Sequence, residues 1–260
     1  MSHRPRKRFG QNFLHDPGII QRIIDTISPK PEDNLVEIGP GHGAITVGLL
    51  SRVERIHAIE LDRDLISPLA KRCASLGNLQ IHNQDALKFD FSTLAENNTP
   101  LRVVGNLPYN ISTPLLFHLL DQSNIIQDMH FMLQKEVVER MAAQPGNKVY
   151  GRLSVMLQAR ASITALFNIG PGAFNPPPKV ESAFVRLQPA NPPPYQINDW
   201  PLFCTIVRQA FSQRRKTIRN SLCKTITAEA IEALGIDPGI RAEQLSVGDF
   251  ATLANQTRKN

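Results

Sequence analysis

The chain has 260 residues, 42% of them apolar and 20% charged, a balance that suits a folded protein with a sizeable core and argues against a disordered or fibrous one. The formal net charge of +6 points to a polyanionic partner, and no apolar run approaches the length of a membrane span. Cys73, Cys204 and Cys223 lie far apart with no Cys-x-x-Cys pair or nearby His cluster, which argues against structural zinc and a disulfide framework and for a reducing, cytoplasmic setting.

The N-terminus carries Arg4, Arg6, Lys7 and Arg8 and then runs into Phe9-Gly10-Gln11-Asn12-Phe13-Leu14. Charge followed by aromatics is what a nucleic-acid backbone and its bases require, and Asp16-Pro17 supplies a cap and first turn for a helix. Gln21, Arg22 and Asp25 interrupt the apolar residues of that helix, so it is amphipathic and not a signal-peptide core.

Asn34–Ile38 reads as the first strand, followed by Gly39-Pro40-Gly41-His42-Gly43 and a helix from Ala44 to about Leu50. Glycines at such a turn let a ligand approach the main chain at a helix N-terminus. Arg55–Ile59 is the second strand and ends in Glu60, about 20 residues beyond the glycines, where an acid takes ribose hydroxyls. The spacing is Gly-x-Gly-x-Gly and Pro40 lacks an N–H, so a nucleoside without phosphates fits better than a dinucleotide. A third strand, Asn78–His82, leads to Asp85, placed either to accept from an adenine amine or to make an Asx-turn.

The fourth strand, Leu101–Val104, opens onto Gly105-Asn106-Leu107-Pro108-Tyr109, and Ser112-Thr113-Pro114 is expected to cap the helix that follows, to about Leu120. Pro108 holds Leu107 extended, so the Leu107 carbonyl is free to stand beside the Asn106 carboxamide oxygen. Two acceptors and the Tyr109 ring suit a planar base with an exocyclic amine, although Asn and Pro are also ordinary turn residues. Four successive strand ends then carry Gly39, Glu60, Asp85 and Asn106, a single ligand-binding edge on a doubly wound, mostly parallel α/β sheet.

Beyond it, Ile125–Leu133 reads as a strand and Lys135–Met141 as a helix with Glu136 and Glu139 outward. Leu153–Leu157 is helix-compatible. Ala165–Ile169 and Ser182–Leu187 read as strands around a loop stiffened by Pro176, Pro177 and Pro178, with Phe174 and Lys179 at its ends. Gln188–Tyr195 is a Pro-rich linker. After it, Phe203, Ile206, Val207, Ala210 and Phe211 mark an amphipathic helix, with Arg208, Arg214, Arg215, Lys216 and Arg219 off the apolar stripe as candidate phosphate contacts. Gly235 and Pro238 end another helix, and Ser246-x-x-Asp249 starts the last. The expected organisation is a catalytic domain over 1–188, a linker over 189–195 and a small all-helical domain over 196–260.

Lys7–Leu14, Glu37–Gly41, Asp85-Ala86, Asn106–Ser112, Gln134–Val137, Tyr150–Val155 and Phe174–Ser182, taken in order, resemble the S-adenosylmethionine-dependent rRNA adenine dimethyltransferases, most closely the small-subunit (KsgA) type. The resemblance spans the whole chain. It implies a Rossmann-like methyltransferase fold with S-adenosylmethionine as cofactor. Asn12, Leu14, Gly39, Gly41, Glu60, Asp85 and Asn106 would hold the cofactor. Asn106, Leu107, Pro108 and Tyr109 would carry the chemistry, with Phe174, by residue type more often buried than functional, as a second aromatic wall for the base. Arg6, Lys7, Arg8, Lys179 and the C-terminal basic residues would contact RNA. The implied substrate is two adjacent adenosines near the 3′ end of 16S rRNA, modified by a monomer on the maturing small subunit. Three rivals share part of this pattern: an Erm-type 23S rRNA methyltransferase, a non-catalytic ribosome assembly factor and an NAD-dependent dehydrogenase. The last leaves the Asn-Leu-Pro-Tyr turn unexplained.

Overall fold

The computed structural model describes residues 11–95, 99–213 and 215–257. In chain order the elements are β1 (Phe13–Leu14), α1 (Pro17–Ile27), β2 (Asn34–Ile38), α2 (Thr46–Leu50), β3 (Arg55–Ile59), α3 (Arg63–Cys73), β4 (Asn78–His82), β5 (Leu101–Asn106), α4 (Ser112–Asp121) and β6 (Ile126–Gln134). They continue as α5 (Lys135–Ala142), α6 (Arg152–Gln158), β7 (Ala161–Ile169), β8 (Phe174–Asn175), β9 (Ser182–Pro189), α7 (Trp200–Ala210), α8 (Ile218–Ser221), α9 (Ala228–Glu232) and α10 (Val247–Thr257).

Seven strands form one sheet in the order β4-β3-β2-β5-β6-β9-β7. The first five are parallel neighbours, and β9 enters antiparallel to β6. The register sets Ile38 level with Ile59 and with Gly105, and Ile59 level with His82. The turns that follow these residues therefore emerge side by side, at the carboxyl edge where such sheets bind ligands. β2 and β5 approach so closely there that a Cβ at Gly105 would lie 2.5 Å from the Ile38 carbonyl oxygen, so only glycine fits.

At its other end β5 is anchored by Arg102, which is 7% exposed. Its Nε and Nη2 reach the two carboxylate oxygens of Asp128 at 2.9 Å, Nη1 reaches Asp33 at 2.6 Å, and Nη2 also donates to the Ile27 carbonyl at 2.8 Å. Burial opposes the charge, but Asp128 and Asp33 outweigh it and hold the guanidinium above its ordinary pKa.

Several local expectations need correction. β5 runs two residues further than expected, so Asn106 is the last residue of the strand itself. α2 begins at Thr46, because positive φ values at Gly39, Gly41 and Gly43 occupy the chain before it. Ser112 does not cap α4. The cap position is Ile111, and the Ser112 hydroxyl donates to the Tyr109 carbonyl at 3.1 Å, bracing the turn. β7 starts at Ala161, four residues early, and Phe211 falls just beyond α7. Ser246 and Asp249 do form a reciprocal cap at the start of α10, with bonds of 2.8 and 3.1 Å.

The chain divides into two compact units. The first comprises the described residues through Val138 together with Thr164–Pro189. The second comprises Glu139–Ile163 and the described residues from Ala190 onward, so 139–163 leave the unit expected to end at 188. The reason lies in Tyr150, which is fully buried against Phe211, itself against Phe250. No described helix is long and apolar enough to cross a membrane.

Candidate active site

The four turns at the sheet edge, with residues 11–14, line a cavity of about 330 Å³ in the first unit. Asn12, Leu14, Gly39, Gly41, Glu60, Asp85, Asn106, Leu107, Pro108 and Tyr109 all border it. The parallel register gathers those from Gly39 to Tyr109, and residues 11–14 join them from outside that sheet.

Gly39 and Gly41 adopt φ values of +68° and +58°, the left-handed region that glycine enters without penalty. A Cβ on Gly41 would also meet the Phe13 ring at 3.1 Å. Phe13 lies against His42 with ring centroids 4.2 Å apart, so the N-terminal segment rests directly on the glycine turn. Gln11 ties the same segment to Asp62 with a 3.1 Å bond.

Glu60 is 6% exposed. Its Oε1 accepts the Asp62 N–H at 2.8 Å and its Oε2 the Gly41 N–H at 3.2 Å. Burial raises its pKa while these backbone donors work against the rise. Asp85 makes the Asx-turn, Oδ1 accepting from the Leu87 N–H at 3.0 Å, and its Oδ2 has no hydrogen-bond partner among the described residues.

Asn106 donates its Nδ2 to the main-chain carbonyl of Asn12 at 2.9 Å. Because a carbonyl can only accept, this bond fixes which way the amide faces. It leaves Oδ1 with no hydrogen-bond donor among the described residues, on a side chain that lines the cavity. The Leu107 N–H donates to Met132 at 3.3 Å, and its carbonyl accepts nothing among the described residues. The Tyr109 ring lines the cavity and its phenol oxygen is 2.8 Å from the Ser182 hydroxyl.

Phe174 is placed differently from the sequence expectation. It is 3% exposed, packs in the core with Leu14, Ile169 and Phe184, and is not among the residues lining the cavity. Leu14 and Phe174 are paired in the short antiparallel β1–β8 ladder, which draws the ring inward. Sequence reasoning gave no role to Glu37, whose side chain borders the cavity and is 2% exposed. Burial, offset in part by the Thr46 hydroxyl at 2.6 Å and reinforced by the Glu60 charge, pushes its pKa up to about 7. The available signal is an acid flanked by Val36 and Ile38 in the strand that leads into the glycine turn.

Of the candidate RNA contacts, Lys179 in the first unit is exposed, as are Arg208, Arg215, Lys216 and Arg219 in the second. None of the five has a carboxylate partner among the described residues. Arg6, Lys7, Arg8 and Arg214 lie outside the described residues.

The family model for ribosomal RNA adenine dimethylases matches residues 2–259. The chain is 57% identical over 254 residues to ribosomal RNA small subunit methyltransferase A of Pseudomonas fluorescens, covering 98% of this chain and 94% of that one. To the protein of the same name from Pseudomonas aeruginosa it is 56% identical over 254 residues, covering 98% and 95%. Among solved structures, a dimethyladenosine transferase from Plasmodium falciparum superposes with a TM-score of 0.82 at 28% identity, covering 95% of this chain and 98% of that one. The 23S rRNA methyltransferase ErmE shares the fold, with a TM-score of 0.76 at 24% identity over 95% and 100% of the two chains. Since that likeness runs unbroken from the tail through the glycine turn and the Asn106–Tyr109 edge to the last helix, the chain belongs to the ribosomal RNA adenine dimethylase family.

Proposed function

We propose that this protein transfers methyl groups from S-adenosylmethionine to the exocyclic amines of two adjacent adenosines near the 3′ end of 16S rRNA, during small-subunit assembly in the cytoplasm. The observation that carries the reading is the pair of acceptors at the end of β5: Asn106 Oδ1 and the Leu107 carbonyl, neither with a donor among the described residues, beside a cavity that Tyr109 also lines.

The residues present fit the cofactor. Glu60 supplies a buried carboxylate for ribose hydroxyls, Asp85 Oδ2 is open to an adenine amine, and the Gly39–Gly41 turn leaves room for close approach. When bound, S-adenosylmethionine supplies an electrophilic methyl group on a sulfonium sulfur.

The chain's own part is positioning and electrostatics. An adenine amine is a weak nucleophile because its lone pair is delocalised into the ring. Acceptors on both N–H bonds, from Asn106 Oδ1 and the Leu107 carbonyl, favour a pyramidal nitrogen with its lone pair turned to the methyl. The same oxygens stabilise the positive charge that grows on that nitrogen. The excess proton passes to solvent after transfer, so no dedicated base is required. The base must leave its stack to enter, and stacking on Tyr109 recovers about 1–3 kcal/mol of that cost.

RNA contact by Lys179, Arg208, Arg215, Lys216 and Arg219 is supported by their exposure and unpaired charge, and by the +6 of the whole chain. The decisive experiment is methylation of immature small subunits with labelled cofactor, followed by mapping of the modified bases. Label on two adjacent adenosines near the 3′ end of 16S rRNA is expected. No label on small subunits, or label only on naked 23S rRNA incubated in parallel, refutes the reading.

A further inference from the structure

Ser182 is the first residue of β9 and pairs with Gln134, the last residue of β6. It is 1% exposed, and its hydroxyl has one partner among the described residues, the phenol oxygen of Tyr109 at 2.8 Å. The strand does not need that hydroxyl. Its main chain is held by the ladder, and alanine would be buried there at lower cost, since a buried hydroxyl is unfavourable unless it is hydrogen-bonded. The sheet position is rigid: the Lys135 N–H donates to the Glu181 carbonyl at 2.9 Å, and Lys135 Nζ meets Glu181 Oε2 at 2.7 Å. Tyr109, in contrast, sits in a turn between β5 and α4, half-buried, with its ring on the cavity. A bond at the far end of the ring stops it from swinging about both side-chain torsions, and the fixed end of that bond is Ser182.

We infer that Ser182 is a positioning residue for methyl transfer: its hydroxyl holds the Tyr109 ring as the platform on which the extruded adenine stacks. The inference rests on the base-site reading of Tyr109 given above. It also explains why a tyrosine serves at position 109, since phenylalanine offers the same stacking face but nothing for Ser182 to hold.

The test compares the full-length wild type with Ser182→Ala, Ser182→Thr, Tyr109→Phe, Tyr109→Ala and the Ser182→Ala/Tyr109→Phe double variant. The readouts are steady-state methylation of small-subunit particles and S-adenosylmethionine affinity by calorimetry. Ser182→Ala should lower kcat about three- to tenfold, the factor one neutral hydrogen bond corresponds to. KM for the particle, set by phosphate contacts, and cofactor affinity should stay within twofold. Tyr109→Phe should lose the same factor, the double variant should lose no more, and Ser182→Thr, which keeps the hydroxyl, should recover most of the rate. Unchanged kcat in Ser182→Ala, or losses that multiply in the double variant, would overturn the inference, as would a loss that appears only as weaker cofactor binding. Should Tyr109→Ala abolish transfer while Ser182→Ala does not lower kcat, only the role of Ser182 falls. If Tyr109→Ala retains full kcat, the base-site reading falls and takes this inference with it.

Discussion

Replacing Glu37 by glutamine isolates the cost of burying an acid in the sheet. The carboxyl has an ordinary pKa of 4.5 in the unfolded chain and about 7 in the folded one, where it is 2% exposed. The folded state therefore binds the extra proton more tightly, and stability is lost as pH rises through the window from 4.5 to 7. Linkage puts the penalty at about 1 kcal/mol at pH 5 and about 3 kcal/mol at pH 8, using 1.36 kcal/mol per pKa unit. Glutamine is neutral throughout and its side-chain oxygen still accepts from Thr46, so its stability relative to wild type should climb by about 2 kcal/mol from pH 5 to pH 8. Any fixed packing cost of the amide displaces that difference without changing its slope. Urea denaturation of both proteins at pH 5, 6, 7 and 8 measures it. A difference that stays flat over this range, or that grows toward acid, refutes the reasoning.

Asn106→Ala removes the acceptor proposed to face the reacting nitrogen, so turnover should drop at least about a hundredfold, as when one preorganised polar group is lost, while RNA affinity changes little. Near-normal turnover in a methylation assay would contradict the role. Reversing the charge of both Arg215 and Arg219 should weaken RNA binding and flatten its dependence on salt, measured by filter binding at several salt concentrations. Equal affinity at low salt would remove them from the RNA interface. Arg102→Met strands Asp33 and Asp128 without their cation and should cost about 3–5 kcal/mol, seen as a large fall in thermal stability. A variant as stable as wild type would show that the network is dispensable.

Legibility in the sequence followed how local each determinant is. Asn34–Ile38, Arg55–Ile59 and Asn78–His82 are readable to the residue because short β-prone segments, the last alternating polar and apolar, end in Gly39, Glu60 and Asn83, and the ligand edge follows from them. The strand end at Asn106 was less so, since Gly105 reads as a turn residue until the close passage of Ile38 is seen. Ser112 has the right chemistry for a cap, but its hydroxyl donates to the Tyr109 carbonyl and the cap position falls on Ile111. By residue type Phe174 suits the core and by resemblance a wall of the base site; its 3% exposure and its pairing with Leu14 place it in the core. The assignment of 139–163 to the second unit depends on Tyr150 meeting Phe211, a contact across some sixty residues that no local pattern reports. Glu37 was visible as a letter, but its burial, and hence its proton, belongs to tertiary structure.

The contact that aims the Asn106 amide comes from the peptide group of residue 12 and not from its side chain. No amino-acid exchange at that position deletes a main-chain oxygen. A survey of single substitutions would therefore grade position 12 on its side chain alone and pass over the atom that holds the Asn106 amide in its orientation. Shortening the chain past that point, or shifting its path by one residue, would release the Asn106 amide while leaving every side chain of the Asn106–Tyr109 turn in place.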